Sequence, residues 1–196
     1  MESKAIDRRI RKTRTMLRKC LGSLLKTKKI QDISVREISE MADINRGTFY
    51  LHYRDVYDLL DHVESDLVGE INGIIDRHKL SEVEEHPRIL AEELFSFIKD
   101  NSDMIQILLG NNGDMDFINQ LKNIVKEKIL APWAESMRRH GIKDFERFYS
   151  FSIGGFLGIV DYWFYKNLDT SPAALAEITE QYILGGQKSL EKNQTP

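Results

Sequence analysis

The apolar residues of this chain recur at intervals of three and four, and nowhere do they alternate with a period of two. That spacing draws a stripe along one side of an α-helix and supplies no half-buried pleated face for a sheet. The fold class is therefore all-α, and 196 residues are enough to bury a real apolar core. Cys20 is the only cysteine, so no disulfide can close within one chain and a Cys-based zinc site is excluded. This cysteine usage fits a reducing cytoplasm. The first thirty residues are basic and amphipathic, without the continuous apolar core of a secretory leader. The longest apolar stretch, Phe151 to Tyr165, is broken by Ser152, Asp161 and three glycines. It falls short of the roughly 20 apolar residues of a membrane span, so no membrane partner is expected.

Charge divides the chain unevenly. Residues 1–54 carry 14 Lys/Arg against 6 Asp/Glu, whereas residues 55–196 carry 14 against 25. A basic block suits a polyanion because each neutralised phosphate releases condensed counterions, and an acidic body is repelled by the same surface. The periodicity predicts a first helix over residues 7–26, with Ile10, Leu17, Leu21, Leu24 and Leu25 as its buried stripe and Arg8, Arg9, Arg11, Lys12, Arg14, Arg18 and Lys19 around the rest. Ser34 followed by Glu37 is a capping box that opens a second helix, with Val35, Ile38 and Met41 facing inward. That helix stops near Asp43, where the backbone needs a left-handed residue. Asn45 caps a third, very short helix, and a fourth runs from Asp55 to about Lys79 with Leu59, Leu60, Val63, Leu67, Ile71 and Ile74 buried. Residues 81–87 read as a polar connection. Helices follow at about 88–100, 104–109, 117–140 with a kink at Pro132, 145–166 and 172–188, and a frayed tail at 191–196.

Residues 33–57 read ISVREISEMADINRGTFYLHYRDVY. A helix, a tight turn and a short helix bearing small and hydrogen-bonding side chains have the geometry of a helix-turn-helix, whose second helix enters the DNA major groove. Arg46 can donate two hydrogen bonds to a guanine, Gly47 lets the backbone come close, and Thr48 offers a methyl and a hydroxyl. Tyr50, His52, Tyr53 and Arg54 follow where the chain leaves the groove, with groups suited to phosphate oxygens.

The segment VREISEMADINRGTFYLHYRDVYDLL resembles the signature of the TetR family of bacterial transcriptional regulators, over about residues 8–62. The resemblance implies a recognition helix holding Arg46, Gly47 and Thr48 behind the cap Asn45. It also implies phosphate contacts at Ser34, Tyr50, Tyr53 and Arg54, and assigns Phe49 to packing. Asp43 departs from the family, which commonly has glycine there. The later stretch FSIGGFLGIVDYWFYKNLDTSPAALAEITEQYILGG resembles the C-terminal regulatory domain of TetR-type proteins from low-GC Gram-positive bacteria, which pair through their last two long helices. This implies a dimer interface at Ser152, Gly154, Gly155, Gly158, Leu175, Ile178 and Tyr182. The residues themselves leave a second reading open, in which the glycines serve close packing within one subunit.

Three further groups complete the sequence reading. The aromatics Phe95, Phe97, Phe117, Trp133, Phe148, Phe151, Phe156, Trp163 and Phe164 are mostly core. The family resemblance implies in addition a pocket for an apolar small-molecule effector, with Phe95, Met104, Leu108, Phe117, Leu121, Trp133, Phe148 and Phe151 as its walls. Asp58, His62 and Asp66 lie at successive four-residue steps and read as a solvated face rather than a metal site. His78, His86 and His140 sit near helix ends. No cofactor is expected, and no phosphate loop, nucleophile elbow or tuned carboxylate pair suggests an enzyme. The expected organisation is a helix-turn-helix domain over residues 1–54, a helical regulatory and dimerisation domain over 55–190 and a flexible tail. The function this implies is a ligand-responsive repressor that binds a palindromic operator as a homodimer. An activator or co-regulator of the same fold acting through a partner protein is the alternative.

Overall fold

The computed structural model describes residues 2–110, 115–139 and 145–192. His140 and residues 193–196 of the expected tail lie outside them. The described residues form helices throughout, in the order α1 (Glu2–Leu25), α2 (Val35–Met41), α3 (Arg46–Tyr50), α4 (Val56–Asp76), α5 (Leu80–Glu85), α6 (Pro87–Asp100), α7 (Ser102–Leu109), α8 (Met115–Val125), α9 (Ala131–Arg139), α10 (Phe145–Tyr165) and α11 (Pro172–Lys192), with a 3-10 turn at Ile30–Asp32. None of these helices is long and apolar enough to cross a membrane. The chain divides into two compact units, one over Met1–Leu67 and one over Val68–Leu109 and Asp114–Pro196, so that the division falls inside α4.

In the first unit, Leu17 and Leu21 of α1, Ile38 of α2, Phe49 of α3 and Leu59 of α4 are wholly buried. The capping box forms as expected: the Glu37 amide donates to Ser34 Oγ at 3.2 Å and the Ser34 amide donates to Glu37 Oε2 at 3.3 Å. The end of α2 is a Schellman motif, in which the Ile44 amide donates to the Ser39 carbonyl and the Asp43 amide to the Glu40 carbonyl. Asp43 occupies its left-handed position with φ 51°. The turn therefore survives without glycine. Two expected inward residues point elsewhere: Met41 and Ile10 are exposed. On α2 the buried residues are Ile38, Ser39 and, at the cap, Ala42, which puts Met41 on the outer side of the last turn. Among the α1 side chains from Arg8 onward, burial begins at Leu17, and Cys20 joins its stripe.

The second unit is built around aromatic contacts. Phe95 of α6 meets Trp163 of α10 edge to face at 5.8 Å and Phe156 at 4.9 Å, and Trp163 Nε1 donates to the Thr170 carbonyl at 2.9 Å. Helices α6 and α11 pack along one another. The disturbance expected at Pro132 takes the form of a π-helical segment, Lys126–Leu130, in which the Ala131 amide reaches back to the Lys126 carbonyl. Proline has no N–H and its ring crowds the carbonyl four residues earlier, so a widened turn just before it relieves both problems. Most of residues 81–87, expected as a plain connection, falls in α5, which buries Val83. His78, expected near a helix end, follows the end of α4 and lies with Nε2 3.2 Å from Glu93 Oε1.

Candidate nucleic-acid interface and apolar cavity

The short α3 is held by its neighbours in sequence. Asn45 Oδ1 accepts the Gly47 amide at 2.8 Å, which fixes the first turn, and Phe49 is the anchor whose ring packs edge to face against Tyr50 at 5.7 Å. With Phe49 turned inward, Asn45, Arg46, Gly47, Tyr50 and Leu51 are exposed and Thr48 and His52 are half-buried. A Cβ added at Gly47 would meet only Asn45 Oδ1, at an ordinary 3.4 Å. Nothing inside the chain therefore demands glycine there, and the bare backbone is available to an outside surface.

Three expected contact residues are committed to the chain itself. Ser34 serves as the cap of α2. Tyr53 is only 6% exposed, with its ring against Phe49 and His62, and burial raises its phenol pKa. Its ring is taken up in packing within the first unit. Arg54 is exposed, yet its guanidinium donates to Asp58 Oδ1 at 2.9 Å and its amide donates to Asp58 Oδ2 at 2.8 Å. The backbone hydrogen bond and then the guanidinium hold the Asp58 carboxyl below its ordinary range. Asp58 thus orients Arg54 and takes up part of its charge. Asp58 also accounts for the Asp58, His62, Asp66 row, since His62 Nδ1 lies 2.7 Å from the Asp58 carbonyl, and no metal-binding cluster occurs among the described residues. Burial, followed by the positive charge of Arg14, lowers the His52 pKa, and this brings the basic first helix electrically close to the motif. Arg8, Arg9, Arg11, Lys12, Arg14 and Lys19 of α1 are exposed.

The second unit contains an apolar cavity of about 180 Å³. Of the expected walls, Phe117, Leu121, Trp133 and Phe148 line it; Phe95, Met104 and Leu108 are buried but lie in the solid core, and Phe151 is 76% exposed on the opposite side of α10. The remaining lining comes from Ile71 of α4, Val83 of α5, Ile129 of the π-helical segment and residues of α6, α7, α8, α10 and α11, which no local motif marks. Ser152, assigned from sequence to an interface, lines the cavity instead, and Leu175 is core. Among the described lining residues the polar groups are those of Lys122, Ser152 and Thr179 and the Trp133 indole N–H, and both hydroxyls donate to carbonyls of their own helices. The described lining is otherwise apolar, which suits apolar bulk.

One glycine escaped the sequence reading. A Cβ at Gly186 of α11 would stand 2.2 Å from Phe148 Cε2, so the missing side chain makes the notch that receives the Phe148 ring. At Gly154, Gly155 and Gly158 the opposite holds, because among the described residues nothing lies within 4 Å of an added Cβ. These three share a stripe of α10 with exposed Phe151, Tyr162 and Tyr165, while Ile178 and Tyr182 are exposed on α11.

Residues 85–185, just over half of the chain, match the TetR-type family described as "Transcriptional regulator C-terminal region". The HTH-type transcriptional regulator YxbF of Bacillus subtilis (strain 168) is 24% identical over 168 residues, which are 82% of this chain and 42% of YxbF. The chain thus spans less than half the length of that relative. Among solved structures, the fatty acid degradation regulator FadR from Bacillus halodurans superposes with a TM-score of 0.64 at 17% identity, over 89% of this chain and 95% of that one. FadR from Bacillus subtilis, solved in complex with stearoyl-CoA, gives 0.63 at 15% identity over 88% and 98%. A TetR transcriptional regulator from Streptococcus agalactiae 2603V gives 0.60 at 18% over 92% and 98%. These likenesses establish a shared fold.

Proposed function

The chain belongs to the TetR family of transcriptional regulators, and we propose that it is a cytoplasmic repressor that binds a palindromic operator as a homodimer and is released by an apolar small molecule. The observation that carries this reading is the outward face of α3, where Arg46, Gly47 and Tyr50 are exposed while Phe49 holds the helix from behind, beside a basic α1. Arg46 reads a base edge, and Tyr50, Arg54 and the cations of α1 meet phosphates. Repression needs only occupancy of a promoter.

Two subunits pair through the α10 stripe and the exposed residues of α11. The open space over Gly154, Gly155 and Gly158 supports this over packing within one subunit, since a helix glycine costs about 1 kcal/mol relative to alanine and here gains nothing inside the chain. Successive major grooves on one face of DNA lie about 34–36 Å apart, and a ligand that favours another spacing of the two recognition helices lowers affinity by population shift. The effector is an acyl chain or a molecule of similar apolar character. The cavity lining supports this, and a protein of the same fold holds stearoyl-CoA. Helix α10 forms a wall of the cavity on one side and carries the pairing stripe on the other, which couples the two events.

Binding to the DNA flanking the protein's own gene, followed by fluorescence anisotropy, tests the reading. Arg46→Ala should weaken binding by about 1–3 kcal/mol and relax preference at one base pair per half-site, and acyl-CoA should release the parent protein. An Arg46→Ala variant with unchanged base preference would remove α3 from the reading head.

A further inference from the structure

Leu51 is 82% exposed, more than any other large apolar side chain of the described residues, and it stands at the end of α3. Its backbone is fixed: its amide donates to the Gly47 carbonyl at 3.2 Å, and the next amide, of His52, donates to the Phe49 carbonyl at 2.9 Å. The side chain therefore cannot turn inward without breaking the turn that seats Phe49. Gly47 and Leu51, four residues apart, share one side of α3, next to the row formed by Arg46 and Tyr50. That side presents bare backbone at Gly47 and an exposed isobutyl group at Leu51. Leaving such a group in water forfeits the burial free energy of a leucine, so it calls for an apolar partner.

On the base edges of the major groove, the one apolar group is the C5-methyl of thymine. We propose that Leu51 is a specificity-determining residue that packs on a thymine methyl and so selects an A·T pair in each half-site. This rests on the nucleic-acid reading of the first unit and adds an apolar contact to the polar one made by Arg46. The exposed cations of α1, in a segment with 14 Lys/Arg against 6 Asp/Glu, commit the occupant of this face to DNA rather than to another apolar protein surface.

The experiment uses the full chain. Duplexes are enriched from a random double-stranded pool, and each thymidine of the enriched sequence is then replaced singly by deoxyuridine, which deletes only the methyl. Affinities are measured for the parent and for Leu51→Ala, whose unfolding midpoint serves as the folding control. At one position per half-site, deoxyuridine should weaken the parent about fourfold, the equivalent of one buried methyl-sized group, and should leave Leu51→Ala unaffected. A parent that binds the enriched duplex but tolerates every deoxyuridine within experimental error overturns the proposal. So does a uridine penalty that persists in Leu51→Ala, which would assign the methyl to another residue. Unchanged affinity of Leu51→Ala for every duplex overturns it in favour of a protein contact at Leu51. A parent that enriches no duplex overturns the nucleic-acid reading itself.

Discussion

The two units solve opposite packing problems. The first packs closely: six wholly buried apolar side chains come from four helices, and the caps of its motif come from adjacent residues. The second surrounds a cavity of about 180 Å³ with residues drawn from eight helices. Close packing resists small displacements, so the first unit can hold base-contacting groups in fixed register. A hollow unit has walls with fewer neighbours, so its helices can shift when the space is filled. On the proposed function, the difference separates a part that must keep its shape from a part that must change it.

The largest effect is expected where packing is tightest. Phe49→Ala should destabilise the first unit by about 3–5 kcal/mol, whereas Phe148→Ala, at a wall that is already hollow, should cost less than half as much. Denaturant unfolding followed by circular dichroism measures both, and equal losses would break the contrast. A smaller change in stability, but a decisive one in binding, is expected from Gly186→Ala. The new methyl would evict the Phe148 ring from its notch, and the open space beside the ring is the cavity. Acyl-ligand binding, read by Trp133 fluorescence, should fall at least tenfold, or about 1.4 kcal/mol, with the protein still folded. Gly158→Ala, where no described residue of the subunit crowds the new methyl, should leave the Phe148 notch intact and change ligand affinity far less than Gly186→Ala does. Equal ligand affinity in all three proteins would detach Phe148 from the cavity's shape. The smallest effect belongs to the turn of the first unit. Asp43→Gly should stabilise by a few tenths to about 1 kcal/mol, because relief of the left-handed backbone exceeds the entropy gained by the unfolded chain. A raised midpoint with unchanged DNA affinity would show that the turn angle does not depend on the side chain, and a lowered one would show that Asp43 supplies a contact of its own.

Much of the first unit was legible because its determinants are local. Ser34 with Glu37, Asn45 with Gly47 and Asp43 with its left-handed backbone all act within a few residues, so a linear pattern announces them. Tyr53 shows where such local patterns stop. Sequence marks it as an aromatic with a hydroxyl, but only the packing of α3 against α4 puts its ring between Phe49 and His62. Leu51 passed unnoticed because an isolated leucine in a helical pattern normally means core. In the second unit Phe117, Leu121, Trp133 and Phe148 line the cavity and Phe95, Met104, Leu108 and Phe151, equally apolar, do not, a division that composition does not reveal.

By itself the sequence determined the all-helical class, the capped helix-turn-helix and the basic character of the first 54 residues, since periodicity, hydrogen-bonding caps and charge are properties of neighbours along a chain. Tertiary structure alone decided which apolar residues enclose space and which fill it. It also decided that Gly186 makes room for a ring inside the subunit while Gly154, Gly155 and Gly158 face open space. Whether a cavity exists depends on how side chains from distant helices meet across it, and that distance in space has no counterpart in the order of the residues.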